Sequence, residues 1–432
     1  MLNPCDPAFV ALLSALVPEG ILSAPEPRHL EEPRGRWTGR AGVLARPRTT
    51  AEVAALVRAC AEARVGVVPV SGGTGLVGGQ IMGEGPAPLL LSLERMTALR
   101  GVWPEENAMV VEAGMVLADA QAHAAAAGRL FPLSLASEGS CRIGGNLAAN
   151  AGGTAVLRYG TARDLCLGLE AVMPDGSIFN GLTRLRKDNA GYDLRHLLIG
   201  SEGTLGVITV ASLKLFPQPA ARVVAMLAVP SPAAALDLLA LCGERAAGMV
   251  SAFELIHRIG FDFLEETGFD LRTPLDPVPE WLVLLELELP VGLEPEATMA
   301  TVYEAGSGAG LVTDGGIATS EAQAEGLWAL RETIPLANRK VGAVSSHDIS
   351  LPLSAIPGFI AEGPRAIAGL GDFRVNCFGH LGDGNLHWNV FPARGHGRAE
   401  HDAVRDQVKR VVHDLVHALG GAVAAEHGAG RP

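Results

Sequence analysis

The sequence predicts an α+β protein of two domains. Three observations carry this. The chain has 432 residues, too many for one ordinary core. Its first half sets short β-branched runs against glycine-rich loops. Its second half alternates apolar runs with helices that begin on capping residues, which predicts helices on one side of an antiparallel or mixed sheet. The expected division is an N-terminal helical segment over residues 1–35, a first domain over 36–217 and a second over 218–432, with Pro217 and Pro219 at the join.

Composition bounds the function. The formal net charge of −13 leaves no general basic face, so no nucleic-acid partner is expected. A local basic pocket for an anionic substrate stays open. The six cysteines (Cys5, Cys60, Cys141, Cys166, Cys242 and Cys377) contain no Cys-x-x-Cys pair, which fits a reducing compartment. The start, MLNPCDPAFVALLSALVPEG, has no cationic stretch and no small-residue cleavage site. It reads as a short amphipathic helix rather than a signal peptide. No apolar run reaches membrane-spanning length. A cytoplasmic protein is expected, with peripheral contact at the inner face of a membrane still open.

In order, the first domain begins after a polar stretch rich in Arg and Pro, residues 25–47. TTAEVAALVRACAEARV predicts a helix with Thr50 as its N-cap. VGVVPV predicts a strand that runs into SGGTGLVGG, Ser71–Gly79. Such a loop offers a row of backbone N–H groups suited to a pyrophosphate, or is an ordinary Gly-rich turn. It is neither a P-loop nor a GxGxxG fingerprint. LLLSLERM and NAMVVEAGMVLADAQ predict strands followed by a helix. SEGSCRIGGNLAANAGG, Ser137–Gly153, pairs glycines with Asn146 and Asn150, so backbone can approach a flat ligand while amides offer hydrogen bonds. LGLEAVMPDGSIF predicts a hairpin turning at Asp-Gly. LIGSEGTLGVIT, Leu198–Thr209, is a third Gly-rich segment beside a strand. Together the three point to cofactor binding.

In the second half RVVAMLAV, MVSAFELI and WLVLLELEL predict strands. Helices are expected from Ser231, His257 and Glu294, over a long segment capped by Ser320, from Ser354, and from about Arg398 to Leu419. DISLP, FRVNCF and LHWNVF are further strands. The last two bracket HLGDGNLH, which sets His380 and His387 at the mouth of a strand-loop-strand unit. Glu426 and His427 follow in AAEHGAGRP. Two imidazoles and a carboxylate suit zinc, manganese or ferrous iron with positions open for substrate.

SGGTG, GSCRIGGNLAANAGG, GSEGTLGVIT, HLGDGNLH and AAEHGAGR occur in that order. They resemble the FAD-dependent 2-hydroxy acid dehydrogenases of the p-cresol methylhydroxylase/vanillyl-alcohol oxidase type, over nearly the whole chain from about Gly39. The resemblance implies a p-cresol methylhydroxylase-type FAD-binding domain followed by an α+β, ferredoxin-like substrate domain. It places Val70, Ser71, Gly72, Gly73, Thr74, Gly75 and Gly78 on the FAD pyrophosphate. Ser137, Ile143, Gly144, Asn146, Asn150, Gly152 and Gly153 would line the flavin. Tyr159, Gly160, Glu202, Gly203 and Ile208 fall in further cofactor-contacting motifs.

By the same resemblance His380, His387 and Glu426 are metal ligands, with zinc expected before manganese or iron, and His427 is the catalytic histidine. Asn385 and Asn389 would touch substrate or flavin, and Arg331 would bind the substrate carboxylate. Oxidising a 2-hydroxy acid requires removal of the hydroxyl proton and transfer of the Cα hydride to the flavin. A divalent cation and a neighbouring imidazole suit the first task, and Arg clamps carboxylates. The expected partners are a small 2-hydroxy acid and an electron acceptor, either a quinone, a cytochrome or an electron-transfer flavoprotein. A homodimer is one assembly open to the chain.

Two departures stand out. Some members of the family it resembles, the hydroxyglutarate enzymes included, carry a Lys and a Thr where this chain has Ser346 and Pro335, which favours a smaller or less charged substrate. The resemblance also implies some tens of residues past the EHGAG motif, which points to a truncated product. A catalytically silent flavin-binding paralogue is therefore the alternative, and a metal-dependent hydrolase built on the same ligands is a third reading.

Overall fold

The computed structural model describes residues 2–430. They fall into two compact units. Unit 1 holds the residues up to Gly153, Tyr159–Gln218 and those from Glu426 on. Unit 2 holds Thr154–Arg158 and Pro219–Ala425. The N-terminal segment therefore belongs to unit 1 and is not a separate piece. The residues from Glu426 on, expected in the second domain, group with unit 1 as well, and Thr154–Arg158, expected in the first, with unit 2.

Unit 1 contains two main sheets. Strands β1 (Leu22–Ser23), β2 (Val43–Ala45), β3 (Val67–Val70) and β4 (Leu89–Ser92) form the first, in the order β1-β2-β4-β3. β2, β4 and β3 are parallel. Helix α1 (Pro7–Leu16) is capped by Asp6, whose side chain accepts the Phe9 N–H. Its Phe9 and Leu13 share a core with Val43, Ala45, Leu89, Leu91 and the apolar face of α2 (Thr50–Ala63). Thr49 caps α2, not Thr50. Its hydroxyl accepts the Glu52 N–H and the Glu52 carboxylate accepts the Thr49 N–H.

The second sheet joins β5 (Leu99–Trp103), β6 (Ala108–Glu112), β8 (Cys166–Val172), β9 (Ile178–Gly181) and β10 (Val207–Lys214), in the antiparallel order β5-β6-β10-β8-β9. β8 and β9 form the expected hairpin. β5 was not foreseen, since LRGVW has little alternation. Short β7 (Arg129–Leu130) pairs with β11 (Phe216–Pro217), and helices α3 (Leu117–Ala126), α4 (Ile143–Ala149), α5 (Val156–Tyr159) and α6 (Leu194–Leu198) complete the first half.

Unit 2 is built on one seven-stranded antiparallel sheet. Its strands are β12 (Ala221–Val229), β13 (Val250–His257), β14 (Trp281–Leu289), β15 (Asp314–Ile317), β16 (Ser345–Ser350), β17 (Phe373–His380) and β18 (Asn385–Pro392), in the order β15-β12-β14-β13-β17-β18-β16. The run β15-β12-β14-β13 is the strand order of a ferredoxin-like βαββαβ unit. The helices are α7 (Pro232–Arg245), α8 (Ile259–Glu266), α9 (Pro295–Gly308), α10 (Glu321–Val341), α11 (Ile356–Ile367) and α12 (Arg405–Ala418).

These helices cover both faces of the sheet, where one was expected. Val223, Ala225, Leu227, Val283 and Leu285 pack with residues of α7, α9, α11 and α12. The intervening Val224, Met226, Leu282 and Leu284 pack with residues of α8 and α10. Successive residues of a strand point to opposite faces. The unbroken apolar runs RVVAMLAV and WLVLL were the signal of two-sided burial. β15, of sequence DGGI, carries no strand signal of its own and is made by pairing with β12.

Candidate active site

Three glycine-rich segments of unit 1 come together. A Cβ on Gly72 would overlap the carbonyl oxygen of Ser140, and one on Gly145 would lie 2.6 Å from Ser71 Oγ. These two positions let the loop after β3 lie directly on segment 137–153. The third segment hydrogen-bonds to α4: the N–H groups of Gly200 and Glu202 donate to the carbonyls of Leu147 and Ala148 at 3.0 and 2.9 Å. Val70, Ile143, Asn146, Tyr159 and Ile208 are buried here, and Tyr159 stacks edge-on to Phe216. Segment 137–153 is not loop throughout, because Ile143–Ala149 is helical and ends on Asn150 in the left-handed region. The Asn150 side chain accepts the Arg163 N–H at 3.0 Å. Among the described residues the buried Nδ2 of Asn146 has no hydrogen-bond acceptor. A backbone cradle that excludes Cβ atoms, next to an unsatisfied buried amide, fits a flat polar cofactor.

Glu426 and His427 also lie in unit 1. Glu426 Oε2 accepts the Gly153 N–H at 2.9 Å. Glu202 accepts the N–H groups of Ala429 and Gly430, at 2.5 and 2.9 Å. Its carboxylate thus serves the EHGAG turn, a role that sequence reasoning missed. Glu202 holds φ of +51°, uncommon for a side chain with Cβ.

In unit 2 the other candidates share one face of the sheet. Directly paired residues of antiparallel strands lie on the same face. Glu254 pairs with His380, Phe378 with His387, His387 with Asp348, and Asn389 with Ser346. Phe378 and Phe391 belong to the core formed with α8 and α10, so this polar band lies on that face. Ser346, one of the two departures from the hydroxyglutarate pattern, is therefore a neighbour of Asn389. Pro335, the other, is exposed on α10 one turn after Arg331.

The two imidazoles have ring centroids 5.3 Å apart and are inclined at 81°. His380 Nδ1 is 2.5 Å from Glu254 Oε1, and His387 Nδ1 faces Asp348 Oδ1 at 3.7 Å. Each ring thus turns Nδ1 to a carboxylate, so Nε2 is the nitrogen whose lone pair can meet a cation. Asn385 is tied to the same band through Nδ2, which donates to Asp348 Oδ1 and the Ile349 carbonyl at 2.8 and 2.9 Å. Asn389 Nδ2 donates to the His387 carbonyl.

Arg331 is buried and its Nε donates to Glu254 Oε2 at 2.7 Å. Its terminal nitrogens make no hydrogen bond to a described residue, and its guanidinium lies over the Phe378 ring. Burial alone would push the Glu254 carboxyl up. The charges of His380 and Arg331, and their hydrogen bonds, outweigh burial and hold it at about 2. Glu254 escaped sequence reasoning. Its one signal was a lone carboxylate in the apolar strand SAFELI.

Comparison with known proteins bears on both units. The FAD binding domain family matches residues 41–181, and the C-terminal domain of FAD linked oxidases matches residues 218–432. Mitochondrial D-2-hydroxyglutarate dehydrogenase of Bos taurus is 38% identical over 427 residues, covering 98% of this chain and 76% of that one. This chain belongs to the FAD-linked D-2-hydroxy acid dehydrogenases. It is an oxidoreductase of that family. The D-2-hydroxyglutarate dehydrogenase of Xanthomonas citri pv. viticola is 37% identical over 396 residues, covering 91% of this dehydrogenase and 82% of that one.

Two solved structures share the fold. Alkyldihydroxyacetonephosphate synthase aligns with a TM-score of 0.75 at 17% identity, covering 98% of this chain and 81% of that one. p-Cresol methylhydroxylase aligns at 0.72 and 14%, covering 99% and 91%. Among the described residues no helix of the dehydrogenase is long and apolar enough to cross a membrane. The bovine relative is named as mitochondrial, so a cytoplasmic location is not established by the comparison.

Proposed function

We propose that this dehydrogenase oxidises a small D-2-hydroxy acid to the 2-oxo acid, with the hydroxyl deprotonated beside a divalent cation held by His380, His387 and Glu426. FAD, when bound, accepts the hydride, and the cation, zinc before manganese or iron, makes the hydroxyl more acidic. The loop Val70–Gly75 with Gly78 holds the pyrophosphate. Segment 137–153, Tyr159–Gly160, Glu202–Gly203 and Ile208 shape the flavin site. His427 takes the hydroxyl proton. Arg331 offers its terminal nitrogens to the substrate carboxylate, while Asn385 and Asn389 orient the substrate.

The observation that carries this reading is the polar band of unit 2. It sets two imidazoles, each with Nδ1 toward a carboxylate, on the same sheet face as Asn385 and Asn389. Substrate size is read from Ser346 and Pro335, which supply no cation for a second carboxylate. A 2-hydroxy acid with one carboxylate, such as D-lactate or glycolate, fits these side chains. The names of the relatives favour D-2-hydroxyglutarate instead. The electron acceptor is a quinone, a cytochrome or an electron-transfer flavoprotein.

The test is anaerobic mixing of the flavin-loaded chain with D-lactate, glycolate, D-malate and D-2-hydroxyglutarate. Bleaching of the flavin band fastest by D-lactate or glycolate is the expected result. Fastest bleaching by D-2-hydroxyglutarate would overturn the size assignment, and no bleaching by any acid would leave a silent flavin-binding protein.

A further inference from the structure

The Glu254 carboxylate is fully buried and divides its two oxygens between two candidate site residues. Oε1 meets His380 Nδ1 at 2.5 Å and Oε2 accepts from Arg331 Nε at 2.7 Å. All three side chains belong to unit 2, on β13, β17 and α10. We propose that Glu254 is a positioning residue that sets the metal-binding tautomer of His380 and at the same time aims Arg331 at the substrate carboxylate. The inference rests on the metal reading given above.

An ionised carboxylate only accepts, and a guanidinium only donates. The proton between Glu254 and His380 therefore sits on Nδ1, and the Nε2 lone pair is the one presented to a cation. On the arginine, Nε is taken up by Glu254, which fixes the plane of the guanidinium. Nη1 and Nη2 remain as the fork for an incoming carboxylate. One buried side chain thereby links the orientation of a cation ligand to that of the substrate anchor.

Glu254→Gln tests this with almost no change in shape. Arg331 Nε still needs an acceptor, so the amide oxygen turns to it. The amide NH2 then faces His380 Nδ1, which must accept, and the proton moves to Nε2. The full-length, FAD-loaded protein is titrated with zinc ion against a competing chromogenic chelator. Zinc affinity should fall by on the order of 10–100-fold in Glu254→Gln, as when the carboxylate behind a ligating histidine is lost. Glu254→Asp, which keeps an acceptor-only group, should recover part of it, and flavin content should be unchanged in both.

Equal zinc affinity in wild type and Glu254→Gln would overturn the inference and leave the metal site standing. A wild-type protein that binds no zinc would overturn the metal reading itself, and this inference with it. Should the variant fail to fold, nitrogen-15 spectra of the histidines in the unmutated, metal-free protein decide the matter. With His380 assigned by His380→Ala, a protonated Nδ1 supports the inference and a protonated Nε2 overturns it.

Discussion

Glu202 accepts the backbone N–H of Ala429 at 2.5 Å, tying the third glycine-rich segment to the EHGAG turn. Its other oxygen accepts from Gly430 at 2.9 Å. Two N–H groups converge on one carboxylate, and the strained φ of Glu202 is held by that contact. Glu202→Gln keeps the side-chain length but replaces one acceptor with a donor. Faster amide hydrogen exchange over 426–430 is expected, with a lower rate of flavin reduction. Unchanged exchange would mean that the turn is held by other contacts.

His387 and His427 should fail differently. His387→Ala should lower metal content and activity together while flavin stays bound, since the glycine-rich segments belong to unit 1. His427→Ala should keep both metal and flavin and slow flavin reduction by on the order of 10²–10⁴-fold, the usual contribution of a general base. Elemental analysis and anaerobic stopped-flow on the two variants separate these outcomes. Active wild-type protein without metal would reduce His380 and His387 to substrate-binding or structural residues.

Gly72→Ala should strip the protein of flavin. The new Cβ would overlap the Ser140 carbonyl oxygen, which is backbone and cannot swing aside. The loop after β3 must then lift from segment 137–153. The flavin-to-protein absorbance ratio after purification is the measure, and full occupancy in the variant would sink the cradle argument.

His347 makes stability depend on pH. Its ring is buried, and neither nitrogen has a hydrogen-bond partner among the described residues. It packs near Trp388 on β18 and His413 on α12. Burial, then the charges of His413 and Lys409, push it from its ordinary 6.5 down to about 3. The folded protein thus keeps it neutral while the unfolded chain takes up a proton. Stability is fully present above about pH 6.5 and is lost as pH falls from there toward 3. The slope for one proton is about 1.4 kcal/mol per pH unit. His347→Leu should flatten this acid limb in a series of melting curves. An unchanged limb would place the acid sensitivity elsewhere.

Much of this was legible in the chain itself. Asp-Gly marked the β8–β9 hairpin, Ser231 and Ser320 marked helix starts, and each cap accepts an N–H as its chemistry requires. Thr49 and Thr50 are both competent caps. Glu52 decides between them, because its carboxylate closes the box on Thr49. The role of Glu254 was hidden, because its meaning lies in His380 and Arg331, 126 and 77 residues away. Arg331 was singled out by the resemblance alone, and the carboxylate that holds its Nε was not visible in the sequence. Glu426, which groups with unit 1, accepts the Gly153 N–H, another pairing at long sequence distance.

The covering of both faces of the unit 2 sheet has a cost in information. Where one face is wet, a strand that slips by one residue exposes its apolar set and is rejected. β12, β13 and β14 lack that safeguard, because either face would accept Val, Leu or Phe. Buried carboxylates on β13 and β14 supply it. Glu286 on β14 accepts from Ser251 Oγ and Trp328 Nε1, both at 2.8 Å, as Glu254 on β13 accepts from Arg331. A slip of one residue would turn either glutamate toward the opposite, hydrocarbon side with no donor to meet it, at a penalty of several kcal/mol or more. The same glutamate that orients His380 therefore acts as a frame mark for the sheet, so that errors in strand alignment and errors at the site are rejected together.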